Sequence, residues 1–342
     1  MNYKLLGKSG LRVSELALGT MTFGEEWGWG SSKVESKKVF DAFANAGGNF
    51  IDTANRYTEG TSEKFVGEFI HSDRDHFVVA TKYTLFMRKD DPNFSGNHRK
   101  NMIQALDASL QRLNTDYIDL YWVHAWDFTT PEEEILRALD DMIRAGKILY
   151  IGISDTPAWI VSRMNTIAEL RGWTQFVALQ IKYSLLERTV ERDLLPMARK
   201  LDLAVTPWAV IGGGILTGKY NKNEDEQGRA NRTSPIKQEH LKVAEEVIKI
   251  ADEIGCSPTQ VAINWVRQQT GIIIPIIGAK TEEQLLDNVD CLKYQLSKNQ
   301  IEKLNEITKI DLGFPHSFLN ESYVQTLIYG GTYEKIDNHH KS

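Results

Sequence analysis

The amino-acid sequence predicts an α/β protein built as a (β/α)8, or TIM, barrel. Eight short apolar runs alternate with longer stretches of helical period, and helix-start signals separate them. Such alternation produces parallel strands joined by right-handed crossovers, and eight units in 342 residues fit one closed barrel. A doubly wound sheet is the alternative. Its first strand should be followed by a GxGxxG turn, whereas residues 19–24 read GTMTFG.

The eight predicted strands lie near residues 16–19, 49–53, 77–82, 118–124, 148–154, 177–181, 204–207 and 272–276. The last reads Ile-Ile-Ile-Pro-Ile, a continuous apolar run typical of a strand buried on both faces. Ahead of the first strand, residues 3–13 predict a β-hairpin around the turn 7–10, placed to close the barrel floor.

Capping boxes are predicted where four helices begin, at Ser32, Thr130, Ser257 and Thr281. Apolar spacing predicts a further helix over residues 99–113. Two long segments, 84–98 and 209–234, read as functional loops on the scaffold. The whole chain, 1–342, is predicted to be one domain, with a barrel core from about 3 to 304 and a polar surface tail over 310–342.

Composition excludes several classes of protein. Lys and Arg number 40 against 46 Asp and Glu, a net charge of -6, which argues against nucleic-acid binding or a role on a membrane surface. No apolar run approaches the roughly 18 residues of a membrane span. Cys256 and Cys291 are isolated, so neither a disulfide framework nor a zinc site is expected. With no apolar signal region at the start, we expect a cytoplasmic protein without a metal.

Polar side chains follow three consecutive predicted strands. Asp52, Lys82 and His124 lie at the ends of the second, third and fourth, and Tyr57 follows Asp52 by five residues. Because barrel chemistry gathers at the carboxyl ends of strands, these four side chains can converge. A lysine cation favours tyrosine ionisation, so Tyr57 beside Lys82 could donate a proton to a carbonyl oxygen. Nothing in the set is a strong nucleophile, so a bound cofactor must supply the other half of the reaction.

Glycine-rich loops after the last two strands offer a place for such a cofactor. The first contains Gly212, Gly214 and Lys219, and the second contains Gly278 and Lys280. Barrels commonly bind phosphate there through backbone N–H groups and a helix N-terminus. The stretch 213–219 also fits GxxxxGK, but Tyr220 follows in place of the magnesium-binding Ser or Thr of a nucleotide triphosphatase.

Other polar and aromatic residues complete the predicted mouth of the barrel. Ser154, Asp155 and Gln180 lie at the ends of the fifth and sixth strands, where they would suit a carboxamide, and Trp208 offers a flat face for stacking. The tryptophans clustered near the mouth predict an apolar substrate pocket; they are Trp27, Trp29, Trp122 and Trp126.

At this point the sequence resembles the aldo-keto reductase family over about residues 3–304. The matching stretches are GNFIDTA at 48–54 with Tyr57, ATK at 80–82, RLNTDYIDL at 112–120 with His124, GKI at 146–148 leading to GIS at 152–154, and the segments 208–219 and 278–288. The resemblance implies an NADP-linked carbonyl reductase in which Tyr57 is the general acid and Lys82, Asp52 and His124 complete a tetrad. The resemblance also implies that the small-molecule substrate is a carbonyl compound.

The same resemblance assigns the cofactor contacts. It places Ser154, Asp155 and Gln180 on the nicotinamide carboxamide and Trp208 against the ring. By similarity, Gly19, Thr20 and Met21 lie by the nicotinamide ribose, and Lys219 and Arg229 reach phosphates. The residues implied around the adenosine end are Lys280, Gln284, Asp287 and Asn288.

Within the family, the sequence is more similar to the branch of aryl-alcohol dehydrogenase-like enzymes and potassium-channel β subunits than to aldose reductases. Trp208 replaces their Tyr, and GAKTEEQ surrounds Lys280. Asp155 departs from the Asn common in the family, and Gln284 stands where many members use Arg against the 2'-phosphate. The resemblance therefore implies NADP(H) as the preferred cofactor and leaves NAD(H) open as a second.

Two alternatives to a carbonyl reductase remain at this stage. One is a nucleotide-binding accessory or sensor protein with slow or vestigial reductase activity, like the channel β subunits. The other is a hydrolase using Asp52 and Glu63 as an acid pair, but Glu63 reads more simply as an exposed residue in a helix's first turn. The sequence predicts neither the physiological substrate nor the oligomeric state.

Overall fold

The computed structural model describes residues 1–222 and 236–337. Within them, eight parallel strands follow one another around a core: β3 (Ala17–Gly19), β4 (Phe50–Asp52), β5 (Val78–Tyr83), β6 (Ile118–Val123), β7 (Ile148–Ser154), β8 (Ala178–Lys182), β9 (Ala204–Trp208) and β10 (Ile276–Gly278). Their order in the sheet is β10-β3-β4-β5-β6-β7-β8-β9. The predicted (β/α)8 barrel is confirmed.

The eighth barrel strand, which closes the wall, lies further along the chain than predicted. The sequence predicts that strand at 272–276, but the regular strand is Ile276–Gly278, which pairs with β3. The segment before it pairs with β9 instead: the Val205 N–H donates to the Ile272 carbonyl at 2.7 Å, and the Ile274 N–H donates to the Val205 carbonyl at 2.8 Å. Pro275 has no N–H to donate, so the wall changes partners at this residue.

An N-terminal hairpin of β1 (Tyr3–Leu5) and β2 (Arg12–Ser14) closes the barrel floor, as predicted. Leu6 and Val13 are fully buried and pack in one apolar cluster with inward-facing strand residues such as Phe50 and Leu120. Burial of these side chains removes apolar surface from water and fixes the hairpin across the end of the barrel opposite the strands' carboxyl termini.

Helices connect the strands and cover the outside of the barrel: α1 (Lys33–Asn45), α2 (Thr61–Ile70), α3 (Arg99–Leu113), α4 (Glu132–Arg144), α5 (Ala158–Arg171), α6 (Leu194–Lys200), α7 (Lys219–Lys222), α8 (Gln238–Ile254), α9 (Pro258–Arg267), α10 (Glu282–Val289) and α11 (Lys298–Ile307). The helix predicted over 99–113 coincides with α3. The box predicted at Ser257 is complete, because Ser257 and Gln260 each accept the other's backbone N–H.

The other predicted capping boxes are incomplete or wrong. Ser32 and Thr281 accept the backbone N–H three residues on, but neither receives the reciprocal bond. The box at Thr130 is wrong, because α4 begins after Pro131 with no side-chain cap. The Asp127 carboxylate accepts from both the backbone and the hydroxyl of Thr130, so that hydroxyl is held in the preceding loop.

A close packing contact in the barrel interior requires glycine at position 152. Trp122 is fully buried, and Gly152 is its register partner on the neighbouring strand β7. A Cβ atom built on Gly152 would lie 2.3 Å from Cζ3 of the Trp122 ring. Real Cβ atoms do not approach other atoms so closely, so only glycine leaves room for this indole.

The C-terminal segment exposes apolar side chains. It forms α12 (His316–Leu319) and α13 (Ser322–Tyr329) on the surface. Several of its apolar side chains are exposed, among them Phe314 at 84% and Tyr323 at 69%. No helix in the described part of the chain is long and apolar enough to cross a membrane.

Candidate active site

The Lys82 side chain organises the centre of the barrel mouth. Its ammonium Nζ lies 2.5 Å from Asp52 Oδ2, 2.8 Å from the Thr53 carbonyl oxygen and 3.2 Å from the Tyr57 hydroxyl. Asp52 ends β4, Lys82 lies near the end of β5, and Tyr57 opens a short 3-10 turn after β4. An ammonium has three N–H donors, so each donor here has an oxygen acceptor.

Electrostatics keep this lysine charged. Lys82 is fully buried, and burial alone lowers the pKa of an ammonium. The Asp52 carboxylate and Tyr57 more than offset that effect, so the pKa of Lys82 lies above its usual value. The result is a permanent cation beside a phenol, which lowers the cost of moving the phenolic proton to a ligand.

His124 follows β6 immediately and lies beside the Tyr57 ring. The two ring centres are 6.1 Å apart, and the rings are nearly perpendicular at 82°. Burial and the nearby Lys82 cation hold the pKa of His124 well below its usual value, so its imidazole is neutral at neutral pH. Its Nδ1 is buried and makes no hydrogen bond to any described residue. The structure thus brings together all four residues of the predicted tetrad.

Gln180 adds a contact to this group that the sequence did not predict. Its amide Nε2 donates to Asp52 Oδ1 at 3.0 Å, so the two carboxylate oxygens are bonded to Gln180 and Lys82 respectively. Gln180 lies on β8, and on neighbouring β7 its register partner is Ser154. The Ser154 hydroxyl is buried without a hydrogen-bond partner among the described residues. A buried hydroxyl of this kind fits the carboxamide of a nicotinamide cofactor, which offers both donors and acceptors.

Asp155 follows Ser154 directly at the end of β7 and contacts Trp208, the last residue of β9. The Trp208 indole Nε1 donates to Asp155 Oδ1 at 3.2 Å. Asp155 has φ +41°, in the left-handed region that Asp and Asn adopt more readily than most residues. Burial raises the pKa of Asp155, while the Trp208 hydrogen bond and the cations of Lys82 and Lys182 act against that rise.

The glycine-rich segment after β9 forms an open turn of backbone. Gly212 has φ +59° and Gly214 φ +96°, both unfavourable for residues with a side chain. A Cβ on Gly214 would lie 3.5 Å from Lys219 Cε, so the lysine stem packs against the glycines. This combination of bare backbone and a cation fits a phosphate group. Tyr220 is buried in a small apolar cluster. Arg229, also predicted here, lies outside the described residues.

The segment after β10 carries the residues predicted for the adenosine end. The Lys280 ammonium lies 5.9 Å from the Trp29 ring centre, and its backbone N–H donates to Gln284 Oε1 at 2.9 Å. The Asp287 carboxylate accepts from Ser257 and Gln260, which ties it to the start of α9.

Asn288, the last residue predicted at the adenosine end, is also held by a structural contact. The Asn288 amide is buried and donates to the carbonyl of Gly278, the last residue of β10, at 3.2 Å. Contact of Asp287 and Asn288 with a cofactor remains a prediction.

Gly19 ends β3, the first barrel strand, and Thr20 follows it. The Thr20 hydroxyl is buried beside the Asp52 carbonyl oxygen at 3.1 Å and Ser62 Oγ at 2.8 Å. A Cβ on Gly19 would meet Ile276 Cγ2 at 2.7 Å, so a larger residue would crowd the strand junction. Met21 is half-buried. The contacts described here for Gly19 and Thr20 are structural, and a role by the nicotinamide ribose remains a prediction.

The tryptophans predicted to line an aromatic pocket do not lie together: Trp27 and Trp29 contact each other, and Trp126 packs elsewhere. The Trp27 and Trp29 ring centres are 5.8 Å apart, and the Arg56 guanidinium lies 4.4 Å from the ring centre of Phe86. Phe86 is 43% exposed and was not predicted, because it lies in a long loop without a periodic pattern. Trp126 is half-buried against the core.

Trp122 does not belong to this pocket. The prediction that it lines the pocket is wrong, because Trp122 is fully buried in the barrel interior. No atom of its side chain is open to a substrate in this structure.

Glu63 also differs from its prediction. It is fully buried rather than exposed; Thr81 donates to its Oε1 at 2.5 Å and Arg112 to its Oε2 at 2.6 Å. Both carboxylate oxygens are therefore engaged, which excludes a paired acid role with Asp52 in this arrangement. Among the described residues, no group of three or more His, Cys, Asp or Glu could hold a metal ion.

Comparison with known proteins gives a consistent match. A protein-family model described as the aldo/keto reductase family matches residues 15–309. Norsolorinic acid reductase of Aspergillus flavus is 37% identical over 332 residues, covering 94% of this chain and 84% of that protein. Aryl-alcohol dehydrogenase (NADP+) of Phanerodontia chrysosporium is 37% identical over 350 residues, covering 95% and 91%. Norsolorinic acid reductase of Emericella nidulans is 39% identical over 325 residues, covering 92% and 83%.

Proposed function

Because this chain belongs to the aldo/keto reductase family, we propose that it uses NADPH to reduce aldehydes or ketones to alcohols, with Tyr57 as the proton donor. The chain is an oxidoreductase of carbonyl compounds, and the relatives named above carry enzyme names, which favours this function over an accessory or sensor role. The observation that carries the assignment of Tyr57 is the buried Lys82 ammonium, which contacts both its hydroxyl and Asp52.

Each residue of the proposed site has a separate role in the reaction. A bound nicotinamide cofactor supplies the hydride that reaches the carbonyl carbon. Tyr57 donates a hydrogen bond to the carbonyl oxygen and gives up its proton as that oxygen gains charge. Lys82 stabilises the phenolate that remains, Asp52 holds Lys82 in place, and the neutral imidazole of His124 offers a second hydrogen bond to the same oxygen.

Cofactor choice rests on the loop after β10. The Lys280 ammonium is exposed near Trp29, where it could pair with a 2'-phosphate that NADH lacks. Gln284 uses its amide oxygen on the Lys280 backbone and brings no second cation. We therefore propose NADP(H) as the preferred cofactor, with NAD(H) bound more weakly. The residues proposed to hold the cofactor elsewhere are Ser154, Gln180, Trp208, Gly214 and Lys219.

The substrate class follows from the aromatic wall and from the relatives. Trp27, Trp29 and Phe86 present flat apolar surfaces, and the guanidinium of Arg56, the residue before Tyr57, lies over the rings of Trp27 and Phe86. Two relatives are named for norsolorinic acid and one for aryl alcohols. We propose that aromatic aldehydes or ketones, or the corresponding alcohols, are the substrates, and that the protein acts in the cytoplasm.

A spectrophotometric panel tests this proposal. NADPH absorbance would be followed with aromatic aldehydes, short aliphatic aldehydes and quinones, in parallel with NADH. We expect NADPH consumption to be fastest with the aromatic carbonyls and to depend on the Tyr57 hydroxyl. Consumption that is unchanged in Tyr57→Phe would remove the proposed mechanism, and faster turnover with NADH would reverse the cofactor assignment.

A further inference from the structure

Asp155 places a negative charge at the mouth of the barrel, directly after Ser154 at the end of β7. Its backbone N–H donates to the Gln180 carbonyl at 3.2 Å, and its Oδ1 accepts from the Trp208 indole at 3.2 Å. These two bonds fix the carboxylate between the ends of β7, β8 and β9, on the wall that also carries the unpartnered Ser154 hydroxyl.

The charge of Asp155 is not neutralised by a contact ion pair. The hydrogen bond that orients its carboxylate comes from an uncharged indole, and no Lys or Arg in the described part of the chain forms a salt bridge with it. Lys82 is already paired with Asp52 at 2.5 Å, and the Lys182 ammonium lies 5.8 Å from the Trp208 ring centre. The catalytic pair is thus close to neutral as a unit. Lys182 lines the same cleft as Asp155 and acts on it without forming a salt bridge, so the Asp155 carboxylate keeps its charge at this wall.

We propose that Asp155 makes this site bind the oxidised nicotinamide cofactor more tightly than an amide in its place would, while binding of the reduced cofactor is nearly unaffected. This inference rests on the proposed function, since it requires a nicotinamide ring at this mouth. The oxidised ring carries a positive charge that the reduced ring lacks. A carboxylate held at the mouth by a hydrogen bond therefore attracts the first form selectively.

The preference has a consequence for the direction of the reaction. Carbonyl reduction converts the bound reduced cofactor into the oxidised form. A site that stabilises the oxidised form therefore shifts the equilibrium between the bound species toward oxidised cofactor and alcohol. Asp155 thus sets the balance between alcohol oxidation and carbonyl reduction on the enzyme without touching the proton donor. A reductase site with asparagine at this position would lack that bias.

The Asp155→Asn variant isolates the charge. Asparagine has nearly the same shape, keeps an oxygen to accept the Trp208 indole N–H, and tolerates the left-handed φ of +41°. The matched control is Glu187→Gln, because Glu187 lines the same cleft as Asp155 and also carries a carboxylate. Dissociation constants for NADP+ and NADPH would be measured by isothermal titration calorimetry for the wild type and both variants at one pH and salt concentration.

We expect Asp155→Asn to weaken NADP+ binding by about tenfold or more and to change NADPH binding by less than about threefold. Glu187→Gln should leave the ratio of the two dissociation constants unchanged. Equal losses for both cofactor forms, or no change in either, would overturn the inference, because Asp155 would then act through shape or not at all. A wild type that binds neither form would instead refute the proposed function itself.

Discussion

The Lys82 ammonium lies 3.2 Å from the Tyr57 hydroxyl oxygen and is held there by Asp52. Residues from two neighbouring strands and the turn between them therefore preassemble a phenol beside a desolvated cation. Preorganised charge of this kind costs no rearrangement when a ligand binds, which is the usual source of electrostatic catalysis. The arrangement leads directly to the first two predictions.

Removing the Tyr57 hydroxyl should abolish most of the activity while leaving cofactor binding intact. We expect Tyr57→Phe to lower kcat by roughly two to four orders of magnitude, because a general acid is lost. NADPH affinity, measured by calorimetry, should change little. Tyr83→Phe is the matched control, since the Tyr83 hydroxyl is buried against the Asn97 carbonyl, away from the Tyr57–Lys82 contact. Near-normal turnover in Tyr57→Phe would contradict the assignment.

Removing the Lys82 cation should alter the pH dependence as well as the rate. We expect Lys82→Met to lower kcat strongly and to move the alkaline limb of the pH–rate profile upward, because no ammonium favours the phenolate. The variant also leaves Asp52 buried without its cation, which costs about 3–5 kcal/mol of stability. The double variant Asp52→Asn, Lys82→Met removes that penalty and keeps the test on a folded protein. A retained rate with an unchanged profile would make Lys82 a structural partner only.

The loop after β10 supplies a third prediction. A 2'-phosphate brings about two negative charges, and one charge-assisted contact is worth about 1.5–3 kcal/mol. We expect Lys280→Ala to weaken NADPH binding by about tenfold or more and to leave NADH binding nearly unchanged. Titration by tryptophan fluorescence suits this measurement. Lys298→Ala, on the exposed start of α11, is the control for a general loss of positive charge. Equal losses for both cofactors would separate Lys280 from the 2'-phosphate.

The buried, neutral His124 predicts a pH dependence of stability. The pKa of His124 in the folded chain lies well below 6.5, its value in the unfolded chain. At a pH between the folded-state and unfolded-state pKa, the unfolded chain therefore binds a proton that the folded chain does not. Stability contributed by this group is therefore present above pH 6.5 and is lost as the pH falls, by up to about 1.4 kcal/mol per pH unit. We expect the difference in unfolding free energy between wild type and His124→Gln, measured in urea, to narrow between pH 7 and pH 5. A constant difference would mean that the pKa of His124 is the same in the folded and the unfolded chain.

The contact between Gly152 and Trp122 makes a prediction about packing. Gly152→Ala would bring Cβ to 2.3 Å from the indole, so we expect a loss of about 1–3 kcal/mol or more in unfolding free energy. Adding Trp122→Leu should recover part of that loss, which a double-mutant cycle would reveal. Gly10→Ala is the control, since no atom lies within 4 Å of the position that its new Cβ would occupy. Additive effects of the two barrel substitutions would contradict the packing argument.

Strand periodicity predicted the barrel and the meeting of Asp52, Lys82 and His124, because parallel strands end at the same edge. Local pattern could not predict contacts made across the chain. Arg112, which binds Glu63, is 49 residues away from it in sequence. Trp122 looked like a pocket residue because it precedes His124 by two positions. The same alternation that turns both inward puts Trp122 one layer deeper, where Gly152 receives it.

The change of partners at Pro275 leaves a seam in the barrel wall. Between β9 and the chain before β10 the wall is held by the two hydrogen bonds of Val205, whereas β6 and β7 pair along five register positions. A closed ring opens only when one of its ladders separates, and a short ladder separates more readily than a long one. We expect amide deuterium exchange at Val205 and Ile274 to be faster than along β6 and β7. Because Trp208 ends β9 and Lys280 lies shortly after β10, opening of the wall at this seam would also move the two loops that we propose hold the cofactor.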